Sequence, residues 1–388
     1  MFPGNCPEFL RFLREFLRPA RSKPLTFRRL ALPWISVASL LFAPLAPAQN
    51  AARPGARTVM DAHNCYPYFE WWSDRLDRAL SAGVPLAIEQ DLAWYTDRKT
   101  GRSRSILTHG LPGYGNEPSM RQYFFERVRP LVEEALRKGN REEWPLITLN
   151  LDFKSEEPEH LRSVLGLVSD YRSWITTARR TEEESKVEPL EVKPVLVLAG
   201  ESDAQKKVFY DEVPSGGPLL VFGAARTNQK DPMAPPEVLA PARVTNYRRW
   251  WNNPWNVVEQ GGQTQAGDWT RADNLRLRAL VEHAHRNGLW IRFYTLDGVD
   301  NKQDLSCHGW FGGYNFGSLE AAQARWRAAI EAGVDYIASD QYEALGRFIR
   351  GSHSSPGRPG FWPVLPDGHG LAFTPCRDRA PAFDMPGL

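Results

Sequence analysis

Several things are scarce in this 388-residue sequence, and each shortage closes off a class of function. Charge of one sign is missing: Lys and Arg exceed Asp and Glu by a net +2, which gives no support to a nucleic-acid role. Cysteine is sparse, with only Cys6, Cys65, Cys307 and Cys376, and no CxxC or Cys/His spacing exists that would hold a structural zinc. No internal repeat is present, which argues against a solenoid or propeller. The apolar run from Leu30 to Leu45 is broken by Pro33 and Pro44 and is short for a membrane span. What remains is ordinary globular material, 42% hydrophobic and 24% charged, enough for a sizeable core. Aromatics are plentiful, at 12% with 14 Trp, so either a large core or a gripping surface is expected.

Residues 1–48 read as an export signal peptide. Arg21, Lys23, Arg28 and Arg29 precede the apolar run, and Ala46-Pro47-Ala48 offers a small-x-small cleavage site. The expected location is therefore periplasmic or extracellular. Cleavage leaves Cys65, Cys307 and Cys376, an odd set in an oxidising compartment; Cys65 and Cys307 both follow predicted strand ends and form the candidate pair. A linker covers 49–57, and a Pro/Gly-rich tail covers 351–388.

Between them, apolar runs alternate with helical patterns. Strands are expected over 58–63, 86–94, 146–153, 194–199, 219–222, 242–246, 289–296 and 335–339. Helices are expected over 73–82, 120–138, 158–177, 271–286, 319–332 and 342–350, with Ser73 an N-cap and Gly83, Gly288 and Gly333 as stops. Residues 105–109 return from the second strand as a hairpin arm. The rhythm is that of a single (β/α)8 TIM barrel over 58–350.

The polar residues fall where such a barrel places chemistry. His63-Asn64 ends the first strand; Glu89 and Asp91 end the second; His109 ends the returning arm; Asp152 and Lys154 end the third. Active sites of parallel barrels sit at the C-terminal ends of the strands. Glu89 and Asp91 are two apart and so point to one side. Hard oxygen ligands suit Ca²⁺ or Mg²⁺, and two histidines suit proton transfer near neutrality. That set points to metal-assisted phosphodiester cleavage. The Trp-rich stretch 247–269, with Trp250, Trp251, Trp255 and Trp269, and then Trp310 and Phe311, reads as loop. It is either a pocket wall or lipid-surface contact, or a loop packed on itself.

At these residues the chain resembles the phosphatidylinositol phospholipase C-like superfamily, which includes the glycerophosphodiester phosphodiesterases. Ala62-His63-Asn64 is similar to the His-Asn of the phospholipase C branch; the His-Arg-Gly of the glycerophosphodiesterases is absent. Asp152-Phe153-Lys154, Arg292-Phe293-Tyr294 and Gly333-Val334-Asp335 are similar to the branch of the altered inheritance of mitochondria protein 6 group. The resemblance covers about 58–350. It implies His63 and His109 as the acid/base pair and one divalent cation, Ca²⁺ or Mg²⁺, held by Asn64, Glu89, Asp91 and Asp152. It implies substrate contacts from Lys154, Arg292 and Tyr294. The substrate is then a phosphodiester small molecule or a phospholipid head group, with the Trp-rich loop as a candidate membrane contact. Two other functions remain open: a non-catalytic ligand-binding barrel, and a glycoside hydrolase, which needs two carboxylates flanking a cleft.

Overall fold

The computed structural model describes residues 51–67, 73–110, 113–228, 230–300 and 311–353, all within one compact unit. The expected leader over 1–48, the tail beyond 353, and Trp310, Cys307 and Cys376 lie outside the described residues, so the Cys65–Cys307 pairing does too. Cys65 itself is buried and has no disulfide partner among the described residues.

The strands are β1 Val59–Ala62, β2 Leu86–Thr96, β3 Ser103–Leu107, β4 Ile147–Phe153, β5 Val195–Ala199, β6 Phe222–Ala224, β7 Arg248–Pro254, β8 Trp290–Tyr294 and β9 Tyr336–Ser339. All but β3 are parallel, each beside its neighbour in the ring, and β1 pairs with both β9 and β2, which closes the barrel. The surrounding helices are α1 Arg75–Ser81, α2 Glu126–Lys138, α3 Pro158–Asp170, α4 Arg271–Arg286, α5 Leu319–Ala332 and α6 Tyr342–His353. The eight-stranded (β/α) barrel expected from the alternation is therefore present. Its strands are buried on both faces, as parallel strands covered by helices must be.

Local signals set the element ends. Thr270 and Asp273 form a capping box at the start of α4, and the Ser318 hydroxyl accepts from Ala321 N to start α5. Gly333 ends α5 at φ +80°, a left-handed conformation that glycine enters without a Cβ clash. At α1, however, Asp74 and not Ser73 holds the N-cap position, and its side chain makes no cap bond. The helix expected over 158–177 stops at Asp170, because Ile175 and Thr177 are drawn into β-bridges with Val195 and Glu191.

Two strand expectations are displaced. Only Phe222 of the run 219–222 enters the barrel; Pro218–Leu219 pairs antiparallel with Ala178–Arg179 instead. The sixth strand is not 242–246 but β7, the heart of the Trp-rich stretch. Trp250, Trp251 and Trp255 are each no more than 1% exposed, so they are core and not a lipid-facing loop. Their indole N–H groups donate to Ala199 O, Thr227 Oγ1 and Glu259 Oε2 at 2.7–2.9 Å, which lets large aromatics be buried without an unpaired donor. Aromatic side chains favour the half-enclosed surface of a strand, and the charged residues Arg248 and Arg249 hide that pattern in the sequence.

The linker segment is docked at the N-terminal end of the barrel. Gly55 N donates to Asp335 Oδ1 at 2.7 Å, and Trp290 Nε1 donates to Ala52 O at 3.1 Å. Asp335 Oδ2 also accepts from Ile291 N and His285, so this carboxylate ties the segment, β8 and α4 together.

Candidate active site

The opposite end of the barrel gathers the polar groups. His63 and Asn64 follow β1. Asn64 has φ +51°, a left-handed turn that Asn tolerates better than most side chains. The turn brings Asn64 N to 3.4 Å from Glu89 Oε2, and Asn64 Oδ1 accepts from Tyr66 Oη at 3.4 Å. Glu89 and Asp91 come from β2 and Asp152 from β4, in a register that sets Asp91 directly beside Asp152. Carboxylate oxygens of Glu89, Asp91 and Asp152 lie within 4.8 Å of one another. Lys154 reaches back, with Nζ 2.8 Å from Asp152 Oδ2 and 3.1 Å from Asp91 Oδ2.

Electrostatics differ sharply along this cluster. Asp91 is fully buried, and among the described residues neither of its oxygens accepts a well-aligned hydrogen bond. Burial, then repulsion from Asp152, pushes its carboxyl well above the usual range. Burial would push Glu89 up as well, but Arg292 and His63 pull it down to about 2. Arg292 is 1% exposed and spends its guanidinium on Asp61, on Glu89 Oε2 at 2.9 Å and on Asn252 Oδ1 at 3.0 Å. It is thus the brace beneath Glu89, with all three nitrogens engaged. Tyr294 lies under the cation at 5.3 Å from its ring centre and meets Tyr314 edge-on.

The two histidines are tuned in opposite directions. His63 Nδ1 is 3.3 Å from Asp340 Oδ1, and its Nε2 is 3.7 Å from Glu89 Oε2. Burial lowers its pKa, but Asp340 and Glu89 more than reverse this and raise it to about 9. Tyr342 Oη donates to the His63 carbonyl at 2.5 Å, and Tyr314 packs edge-on against the ring. His109 stands half-buried just past β3. Burial and then Lys154 lower its pKa, and it also feels the charges of Asp152, His63 and Glu89. The structure thus brings His63, Asn64, Glu89, Asp91, His109, Asp152 and Lys154 to one end of the barrel.

A divalent cation fits this donor set. Arg292 already balances Glu89, but Asp91 and Asp152 share Lys154 between them, and Asp91 has no well-aligned donor among the described residues. The donors are all oxygen, as Ca²⁺ and Mg²⁺ prefer.

Asp340, Asp61 and Tyr314 carry parts of this network that sequence reasoning did not assign. Asp340 follows β9 directly, and the strand-end rule that singled out Asp152 applies to it equally. Asp61 had no such signal, because it lies inside β1 and shows its role only through the facing Arg292.

No family model and no curated protein matches the sequence. Among solved structures, a glycerophosphodiester phosphodiesterase from Parabacteroides distasonis is 13% identical, with a TM-score of 0.40, covering 77% of this chain and 99% of that one. A calcium-dependent phosphoinositol-specific phospholipase C from a Pseudomonas species is 14% identical, TM-score 0.40, covering 77% and 94%. The Plasmodium falciparum HPPK-DHPS is 7% identical, TM-score 0.37, covering 76% and 48%. Likenesses this distant do not choose among activities.

Proposed function

We propose that this chain is a metal-assisted phosphodiesterase that cleaves a glycerophosphodiester or a phospholipid head group. One observation carries the reading: two oppositely tuned histidines share one end of the barrel with a carboxylate cluster and a lysine. Phosphodiester cleavage needs a proton donor, a proton acceptor and positive charge at the phosphoryl oxygens, and this set contains all three. Ca²⁺ or Mg²⁺ held by Glu89, Asp91, Asp152 and Asn64 would offset the phosphoryl charge and polarise the phosphorus.

In this reading His63, held between Asp340 and Glu89, is the imidazolium that gives a proton to the leaving oxygen. His109, whose basicity is lowered beside Lys154, accepts the proton of the attacking hydroxyl or water. Lys154 meets a phosphate oxygen. Arg292 acts beneath Glu89 and fixes its orientation. Tyr294 and Tyr314 line the approach to His63. The leader-like pattern of residues 1–48 supports placing this activity in the periplasm or outside the cell.

The glycoside-hydrolase reading is weaker. Glu89, Asp91 and Asp152 crowd one spot with Lys154 among them, whereas glycosidic cleavage needs one carboxyl group on each side of the bond. The test is hydrolysis of bis-p-nitrophenyl phosphate, glycerophosphocholine and phosphatidylinositol, with and without EDTA. Turnover that EDTA removes, and that His63→Ala and Glu89→Ala abolish, is the expected result. Full activity in purified Glu89→Ala protein removes the metal model. Failure to turn over every phosphodiester leaves the binding-barrel reading in its place.

A further inference from the structure

One buried histidine lies outside the reacting cluster yet touches three of the strands that deliver it, β2, β3 and β4. His160, in the first turn of α3, has no solvent exposure. Its Nε2 is 2.9 Å from Ser105 Oγ, and its Nδ1 is 2.9 Å from the Ser155 carbonyl and 3.2 Å from Ser155 Oγ. A carbonyl oxygen can only accept, so Nδ1 carries the proton, and burial lowers the ring's pKa and keeps it neutral, as the Nδ1–H tautomer. Nε2 is then an acceptor, and Ser105 donates to it. The ring is also stacked on Trp94, with centroids 5.5 Å apart at 24°, and meets Phe153 edge-on.

The partners of this ring have a common consequence. Ser105 belongs to β3, four residues before His109, and pairs across the hairpin with Trp94 of β2. Ser155 follows Lys154 directly, and its hydroxyl accepts from Trp94 N at 2.8 Å. Among the described residues β3 is the one antiparallel member of the barrel sheet and pairs there only with β2. His160 is therefore a polar clamp between the arm that ends in His109 and the strand end that carries Asp152 and Lys154.

We propose that His160, through Ser105 and Ser155, is a positioning residue that sets where His109 stands relative to Lys154 and Asp152. The proposal rests on the phosphodiesterase reading for its kinetic consequence, but not for its structural one. A displacement of about 1 Å in a reacting group can cost roughly 10²-fold in rate, so a clamp of this kind has a large effect without touching substrate.

Three variants test it. His160→Phe keeps the ring and its packing and loses both polar links. Ser105→Ala loses only the link to the arm, and Ser105→Thr restores a hydroxyl there. Thermal unfolding confirms that each is folded; if His160→Phe is not, the Ser105 pair decides. The readouts are kcat and KM on the turned-over phosphodiester, and the titration of His109 by NMR with ¹³C-labelled histidine, assigned through His109→Gln. His109 faces Lys154, Asp152, His63 and Glu89. Loosening the arm frees it from burial and from Lys154, so its midpoint rises toward the ordinary value of about 6.5. The expected result is that rise, together with a fall in kcat of about 10-fold or more, KM nearly unchanged, and recovery in Ser105→Thr. A wild-type His109 midpoint in the folded variants overturns the proposal, whether or not kcat changes. If the wild-type protein turns over no phosphodiester, the phosphodiesterase reading falls, and the titration alone still decides whether His160 places His109.

Discussion

His63 lies between two buried carboxylates, Asp340 at 3.3 Å and Glu89 at 3.7 Å, with Arg75 Nη1 3.6 Å from the same Asp340 oxygen that faces His63. Asp340 fixes the ring through Nδ1 and supplies the negative charge that keeps it protonated. Replacing Asp340 by Asn preserves shape and removes that charge. The expected outcome is a fall in kcat of roughly 10²-fold with little change in KM, since proton donation by a positioned group contributes on this order. Steady-state kinetics on a phosphodiester with a poor leaving group is the check, because such a substrate needs the proton most. An undiminished kcat would show that His63 works without Asp340.

Elements rather than single residues decide how the barrel rim is held. α1 and α6 meet through a two-pronged ion pair, with Arg78 Nε 2.6 Å and Nη2 3.0 Å from the Glu343 oxygens. Burial raises the Glu343 pKa, but the hydrogen bonds and charge of Arg78, with smaller contributions from a backbone bond and Arg347, together outweigh it, so the net shift is downward. A carboxyl group with a depressed folded pKa adds stability that is present above its unfolded pKa and lost as pH falls through the folded one. The side chains are about a third exposed, which discounts the pair to about 0.5–1 kcal/mol. Urea unfolding of Glu343→Gln is expected to show that deficit at pH 7, and the gap should close as pH drops below the carboxylate range. A gap that stayed constant with pH would assign the loss to packing. Placing β7 over the Trp cluster works at this same level. The aromatic run was visible in the sequence, but its role as a central strand was not. A strand buried on both faces shows no alternation to mark it, and the preceding Val244-Thr245 competes for the assignment.

For the protein as a unit, the cation is expected to tune stability without being needed for folding. The barrel closes through β1 and carries its own core, whereas the carboxylate cluster sits at the rim and gathers negative charge. Any ion that binds only the folded form stabilises it, by about 2.7 kcal/mol at a hundredfold excess over its dissociation constant. Thermal unfolding in EDTA should therefore be cooperative, and added Ca²⁺ or Mg²⁺ should raise the midpoint. Asp91→Asn should remove that rise while leaving the EDTA midpoint no lower, because it relieves like-charge crowding. An equal rise in the variant would move the cation elsewhere.

The sequence by itself determined the barrel and the identity of most of its polar rim. Alternating apolar runs and helical periods are local, and a parallel strand exposes its chemistry at its C-terminal end, so His63, Glu89, Asp91, His109, Asp152 and Lys154 could be read off in order. It also suggested Arg292 as a phosphate contact. Tertiary structure alone made Arg292 the brace of Glu89, because the barrel interior sets it against Asp61 across more than two hundred residues. The same closure joined Asp340 to His63, and the packing of α3 on the sheet seated His160 between β3 and the residue that follows Lys154. It also carried Trp250, Trp251 and Trp255 into the core. These assignments depend on which strands become neighbours when the ring closes, and that is a property of long-range packing that no local pattern records.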